Sequence, residues 1–291
     1  MRITNGILAR EALTGYQSQL RALDDARRQA ATGLRVHKAS DDPVAVAGIM
    51  QSSSELRALE QYRSNVDTGQ SRLDIEDSVL DQLGNALSRA KELALSQAGD
   101  TADAKSRATT KEEIDRLIDF ATDLGNTQLA GIYVFGGQYA DTPPFVGGVP
   151  DPTKPPSGSF QMEIGTGVVV DSNHGAQEIF LDSDAIDALT ELSTALGNND
   201  PTGVQNAITR LDGAFQSVQE LVGDLGARMT QLDVTASNLD SLEVTLQSFR
   251  SDLGDADITK AISELVNRQS TLEAAMLANT RIMNISLTDY L

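Results

Sequence analysis

From Val204 to Leu246, apolar residues recur at alternating steps of four and three: Val204, Ile208, Leu211, Phe215, Val218, Val222, Leu225, Met229, Leu232, Ala236, Leu239 and Leu246, with Glu243 the one polar member. That alternation is the period of a helix seam that faces a partner helix along its length. A helix over this span is about 65 Å long at ~1.5 Å rise per residue, which exceeds the interior of an ordinary globule. A partner of similar length is therefore required. Leu59, Val66, Leu73, Leu80, Leu87 and Ala94 recur at steps of seven and supply the best candidate. Arg63, Gln70 and Asp77 interrupt its second track, so this seam reads as the weaker of the two.

The rest of the helical pattern follows in chain order. Residues 5–32 read as a helix with Leu13, Tyr16, Leu20, Leu23 and Ala30 on one face, stopped by Gly33 in the left-handed position that ends many helices. Asp42-Pro43 is a start signal: Asp is a good N-cap, and Pro at the first helical position loses no hydrogen bond. A third helix is predicted from about Lys105 to Thr127, a fourth from about Asp184, and Asp200-Pro201 repeats the start signal before the long seam. After Gly254, Ile258, Ile262, Leu265, Gln269, Leu272, Met276, Asn279 and Met283 continue in fours and threes, beside a second track of Ala275, Ala278, Ile282 and Ile285. That face is broader than one partner helix needs.

Between these helices the texture changes. Leu129–Phe135 is rich in β-formers and ends at Gly136-Gly137, and six of the eight prolines lie between Pro143 and Pro156. Proline at that density excludes helix. Phe160, Met162 and Ile164 alternate with polar residues, then Gly165-Thr166-Gly167 turns into Val168–Val170, which predicts a β-hairpin. Ile179-Phe180-Leu181 reads as a further strand. The fold class is mainly α: an elongated antiparallel helical bundle or coiled coil formed by both chain ends, with a small β-rich insertion at 140–181.

Composition narrows the function. The net charge of −19 argues against sequence-independent nucleic-acid binding, which needs Lys and Arg to neutralise phosphates. Residues 1–40 hold seven Lys/Arg against three Asp/Glu, while 182–257 hold three against fourteen, so pairing of the basic arm with the acidic remainder is the simpler reading. The chain has no cysteine, hence no disulfide, thiolate chemistry or Cys-ligated zinc. No apolar run reaches the length of a membrane span, and no signal-peptide core follows Met1-Arg2-Ile3, which predicts a cytosolic protein unless export uses a route without a cleaved signal. The two histidines, His37 and His174, read as ordinary loop residues. The glycine pairs lack the strand–loop–helix context of a phosphate site. No catalytic, metal or cofactor site is predicted, and the chain is not read as an enzyme.

Several short stretches carry a family resemblance. Ala31-Thr32-Gly33-Leu34-Arg35-Val36 with Lys38-Ala39-Ser40-Asp41-Asp42-Pro43, and Asp224-Leu225-Gly226-Ala227-Arg228, resemble the bacterial flagellin superfamily. Within it, Asn126-Thr127-Gln128, Gly131-Ile132-Tyr133-Val134-Phe135-Gly136-Gly137, Asp141–Phe145 and the ending Ser286–Leu291 are similar to the hook-associated protein 3 branch. The resemblance covers about residues 1–145 and 200–291. It implies a structural subunit joining the flagellar hook to the filament, exported without a cleaved signal to the cell exterior, with residues 1–42 and 255–291 as an inner coiled-coil layer, 43–139 and 182–254 as a helical bundle, and 140–181 as an outer insertion.

On that reading the subunit-interface candidates are Leu13, Tyr16, Leu20, Leu23, Ile258, Ile262, Leu265, Leu272, Met276 and Met283. Gly33, Leu34, Arg35, Asp41, Asp42 and Pro43 form the turn between layers. The implied partners are further copies in a ring or helical layer, adjoining hook-associated and flagellin subunits, and an export chaperone on the C-terminal helix. Because a lone helix is marginal in water, both ends are expected to be mobile in the monomer and to order on assembly. A short filament flagellin is the alternative within the family, and an α-helical type III secreted translocator or needle-tip protein the alternative outside it.

Overall fold

The computed structural model describes residues 5–99 and 103–288. Its helices are α1 (Asn5–Thr32), α2 (Pro43–Gln97), α3 (Ala104–Gly125), α4 (Ala185–Gly197), α5 (Pro201–Gly254) and α6 (Ile258–Thr288). Three two-stranded antiparallel hairpins lie between α3 and α4: β1 (Gln128–Leu129) with β2 (Ile132–Tyr133), β3 (Phe145–Val146) with β4 (Val149–Pro150), and β5 (Gln161–Gly165) with β6 (Val168–Asp171). The described residues form two compact units, one from the residues up to Ala58 together with those from Leu242 on, the other from Leu59 to Ser241.

The helix boundaries follow from local chemistry. Gly33 takes φ +71°, and its N–H donates to Gln29 O at 2.9 Å, closing the last turn of α1. Asp42 Oδ1 accepts from Ala45 N at 3.0 Å and caps α2 in front of Pro43. Asp200 Oδ1 accepts from Thr202 N at 3.0 Å and starts α5 in the same way. The C-terminus of α2 is held by a buried cation: Arg107 donates to Gln97 O (3.2 Å), Gly99 O (3.0 Å) and Asn199 Oδ1 (2.6 Å). A guanidinium there meets carbonyls that no longer have helical partners and the negative end of the helix dipole.

The core of the Leu59–Ser241 unit is the predicted pair of seams. Leu59, Val66, Leu73, Leu80, Leu87 and Ala94 are all buried, as are Val204, Leu211, Val218, Leu225, Leu232 and Leu239. Each fully buried Leu contributes about 1.5–3 kcal/mol before ordering costs. The second track of α5 is different: Ile208, Phe215, Val222, Met229 and Ala236 are half-buried. Two of the polar residues that interrupt the α2 pattern, with Lys91, form the rim of this contact. Arg63 Nη1 reaches Asp240 Oδ1 at 2.9 Å, Gln70 Nε2 donates to Asp233 Oδ1 at 2.7 Å, and Lys91 Nζ meets Asp212 Oδ1 at 2.5 Å. Steps of seven up α2 thus meet steps of seven down α5, which fixes an antiparallel register.

The β-rich segment packs on this unit. In β5, Met162 and Ile164 are buried and Gln161 and Glu163 exposed, the alternation read from the sequence. Asn126 grips β3 through both amide atoms, donating to Phe145 O and accepting from Phe145 N, each at 3.0 Å. Gly137, at φ +57°, has Ser157 O only 2.2 Å from where a Cβ would lie, so no other residue fits. The strand expected at Ile179-Phe180-Leu181 is instead a π-helical turn, Gln177–Asp182. Ile179 and Phe180 are both fully buried, and Phe180 meets Phe135 and Phe145 edge to face. A strand turns consecutive side chains to opposite faces, whereas a helical turn lets both neighbours enter one core.

Candidate functional site

Two features of the terminal unit stand out, a keyed turn and an apolar helix face. The turn joins α1 to α2 and ties both to the α5–α6 connection. Leu34 bridges Asp255 as an isolated antiparallel pair, with Arg35 N donating to Gly254 O and Ala256 N donating to Gly33 O, both at 2.7 Å. Arg35 donates from Nη2 to Leu253 O at 2.6 Å and from Nη1 to Asp42 Oδ2 at 3.1 Å. Asp41 Oδ2 accepts from the backbone N–H groups of Lys38 (2.9 Å) and His37 (3.1 Å). His37 Nε2 lies 2.8 Å from Thr32 Oγ1.

These bonds set the charge state of the turn. The Lys38 and then the His37 N–H hold the Asp41 carboxyl below its ordinary value. The Ala45 N–H and then the Arg35 guanidinium do the same for Asp42. Gly33, Leu34, Arg35, Asp41 and Asp42 lie in the α1–α2 connection, and Pro43 opens α2. Space is tight alongside: a Cβ on Gly48 would come within 2.6 Å of Leu253 Cδ1, and one on Gly254 within 3.1 Å of Ile49 Cδ1.

Beside the turn, α1 packs against α6, and α6 is started by Asp257 Oδ1 accepting from Lys260 N at 3.1 Å. The ten interface candidates separate on this pair. Leu13, Leu20, Ile258, Ile262 and Met276 are exposed, and Tyr16, Leu23 and Leu265 half-buried. Leu272 is 9% exposed and belongs, with Ala26 and Ala261, to the buried residues of the pair. The expectation that Leu272 faces other subunits is therefore corrected: the broad apolar face is split, and this position is consumed inside the chain. The side chain of Met283 lies outside the described residues. Exposed apolar positions that the fours and threes did not select are Ile7, Val266 and Leu277, the last 64% exposed.

In the other unit the structure corrects the reading of His174 as an ordinary loop residue. It is 4% exposed and hydrogen-bonded through Nδ1 to Glu76 Oε1, with Nε2 at 3.0 Å from Asp224 Oδ2 and its backbone N–H donating to Glu76 Oε2 at 3.1 Å. Glu76 itself is fully buried. Arg228 Nε donates to Asp224 Oδ2 at 2.6 Å, so the Asp224-Leu225-Gly226-Ala227-Arg228 stretch frames this cluster. Asparagine on one side and glycine on the other made His174 look like a turn residue; its carboxylate partners are too distant in sequence for any local pattern to reveal.

Long paired helices, a keyed turn and exposed apolar side chains on the paired ends define a mainly helical protein built on its two chain ends. Comparison with known proteins agrees. Residues 3–140 match the bacterial flagellin N-terminal helical region and residues 208–291 the bacterial flagellin C-terminal helical region. The chain belongs to the bacterial flagellin family. It is 26% identical to a flagellin of Halalkalibacterium halodurans over 96% of this chain and 95% of that protein. It is also 26% identical to flagellar hook-associated protein 3 of Escherichia coli, over 94% and 96%. The crystal structure of flagellar hook associated protein-3 from Legionella pneumophila shares the fold, with TM-score 0.61 at 14% identity over 70% of this chain and 98% of that one. Residues 141–207, with β3–β6 and α4, fall outside both family regions.

Proposed function

We propose that this protein is a structural subunit of the bacterial flagellum, joining the hook to the filament, exported to the cell exterior and without catalytic activity. The observation that carries the reading is the outward face of the α1/α6 pair. Leu13, Leu20, Ile262, Val266, Met276 and Leu277 present exposed apolar side chains. Contiguous exposed apolar surface marks a site of association. The length-spanning similarity to hook-associated protein 3 supports the placement at the junction.

Residues 1–42 and 255–291 then form an inner layer, 43–139 and 182–254 a bundle, and 140–181 a solvent-facing insertion. Copies meet through heterologous, head-to-tail contacts, which build a ring or a helical layer. Adjoining hook-associated and flagellin subunits continue the same packing, and α6, before assembly, is the surface an export chaperone covers.

The test is imaging in place. Immunogold labelling should mark a single narrow band between hook and filament, and deletion of the gene should leave bare hooks with filament protein shed into the medium. Label along the whole filament would overturn the reading. A short filament flagellin is the second reading, favoured by the equal identity to the Halalkalibacterium flagellin. Purified protein that grows long filaments unaided would establish it.

A further inference from the structure

The Glu76–His174–Asp224 cluster is not used by the assembly reading, and it sets a buried imidazole between two carboxyls. Both ring nitrogens of His174 face carboxylate oxygens, Nδ1 that of Glu76 and Nε2 that of Asp224 at 3.0 Å. An ionised carboxylate only accepts hydrogen bonds, and a neutral imidazole has one N–H and one lone pair. A neutral ring would therefore aim a lone pair at one of the two oxygens. With both carboxyls ionised, only the imidazolium, a donor at both nitrogens, satisfies both contacts. Because both nitrogens are committed to these bonds, the ring has no lone pair left for a metal ion.

The same residue is a structural keystone. Glu76 on α2 is fully buried and is gripped twice by His174, through the ring and through the backbone N–H. The neighbouring Asn173 donates from Nδ2 to Val134 O at 2.7 Å and accepts at Oδ1 from Phe160 N at 3.1 Å. Ser172 closes the hairpin with two bonds to Phe160 O, each at 2.8 Å. Phe160 in turn lies under the buried Arg72 guanidinium, 4.2 Å from ring centroid to Cζ. The loop that carries His174 thus ties β2, β5 and β6 to α2 and α5.

We propose that His174 is a proton-operated latch: as an imidazolium bridging Glu76 and Asp224 it holds the β5–β6 hairpin against α2 and α5, and loss of its proton lets that segment undock. Without the proton, the interior Glu76 carboxylate loses the cation hydrogen-bonded to it, and stripping a buried charge of its partner is costly. The charged groups facing the ring are Glu76 from α2, Asp224 and Arg228 from α5, Asp171 from β6 and Glu178 from the π-helical turn. Burial and Arg228 disfavour the proton, whereas the Glu76 hydrogen bond and charge, with Glu178, outweigh them and hold the His174 value above the ordinary one. A group raised on folding lends stability that is complete below its unfolded value, near pH 6.5, and is lost as pH rises through its folded value. The latch is closed below the unfolded value and opens as pH rises through the higher folded value.

Nuclear magnetic resonance of the two imidazoles tests the latch on the full chain, with His37→Asn assigning the signals. Amide hydrogen exchange from pH 5.5 to 9.5, corrected for intrinsic rates, reads the undocking. His174 should titrate above 6.5, and exchange of residues 160–176 should rise at least tenfold with the same midpoint while the middle of α5 stays protected. Glu76→Gln should move the His174 midpoint down by removing the fully buried anion. His174→Gln should exchange fast in 160–176 at every pH, with no inflection. A His174 midpoint below 6.5, or exchange in 160–176 that ignores that midpoint, would overturn the latch. If His174→Gln fails to fold, the wild-type titration and exchange decide alone.

Discussion

Arg35 and Leu253, 218 residues apart in the chain, meet through a 2.6 Å hydrogen bond from guanidinium Nη2 to a backbone carbonyl. That carbonyl belongs to the last turn of α5, where helical acceptors run out of donors. The same guanidinium holds Asp42 at 3.1 Å, so one side chain links the end of α5 to the start of α2. Arg35→Ala should lower stability by about 1–2 kcal/mol, the range for a hydrogen bond to a charged group at a partly exposed site. Arg35→Lys should recover only part, because an ammonium does not fork across both acceptors. Denaturant unfolding with an unchanged m-value checks both.

Gly33 tests the same turn from its backbone. Its φ of +71° is costly for a side chain with a Cβ, and a Cβ there would sit 3.4 Å from Ile258 Cδ1. Gly33→Val should cost about 1–2 kcal/mol, and Gly33→Asn clearly less, since Asn tolerates the left-handed region. Thermal melting of the two variants should rank them in that order.

The turn also carries a pH dependence of known sign. Asp41 and Asp42 are held below the ordinary carboxylate value by backbone N–H donors and, for Asp42, by Arg35. A depressed carboxyl stabilises the fold above its unfolded value and stops doing so as pH falls through its folded value. Exchange of the His37, Lys38 and Ala45 amides should accelerate below about pH 4. Asp41→Asn should remove the acid dependence at His37 and Lys38 and leave it at Ala45.

The elements that were legible in the sequence are those specified by neighbours. Gly33, Asp42-Pro43 and Asp200-Pro201 each act within four residues, and the structure starts or stops a helix at all three. The seams were legible because a step of seven repeats the same environment. What escaped was long-range. Arg63 and Gln70 looked like flaws in a seam because Asp240 and Asp233, which pair with them, lie beyond any local window. Ile179 and Phe180 are adjacent apolar residues, a pattern that a buried strand and a tight helical turn share. Leu272 could not be sorted from Ile262 because periodicity gives the apolar face without saying which part α1 covers.

Arg107 was also invisible, since an Arg in a helix of mixed charges has no distinguishing pattern. Buried to 3% exposure, it satisfies two carbonyls and the Asn199 side chain. Arg107→Met should cost about 3 kcal/mol, because it strands buried acceptors as well as losing charged hydrogen bonds. Chemical denaturation of the variant, compared with Arg89→Met at an exposed ion pair, should show a large loss for the first and little change for the second.

The division of α6 into a covered and an uncovered side makes the sharpest test of the assembly reading. Leu272 is buried, so Leu272→Asp places a carboxylate where no partner exists, a change that costs about 3 kcal/mol or more. It should therefore separate α1 from α6 in the monomer, seen as loss of exchange protection in both helices. Ile262→Asp and Leu277→Asp lie on the exposed side and should leave monomer stability within about 0.5 kcal/mol. If that side is the surface through which copies pack, both should still abolish incorporation at the hook–filament boundary. A variant pair that is stable and incorporates normally would show that these side chains are solvent-facing decoration, and the assembly surface would have to be sought elsewhere on the chain. Exchange in the wild-type monomer sets the baseline. Two helices that leave several of their described apolar side chains exposed gain less from pairing, so α1 and α6 should exchange faster than the buried seam of α2 and α5, and should slow on assembly.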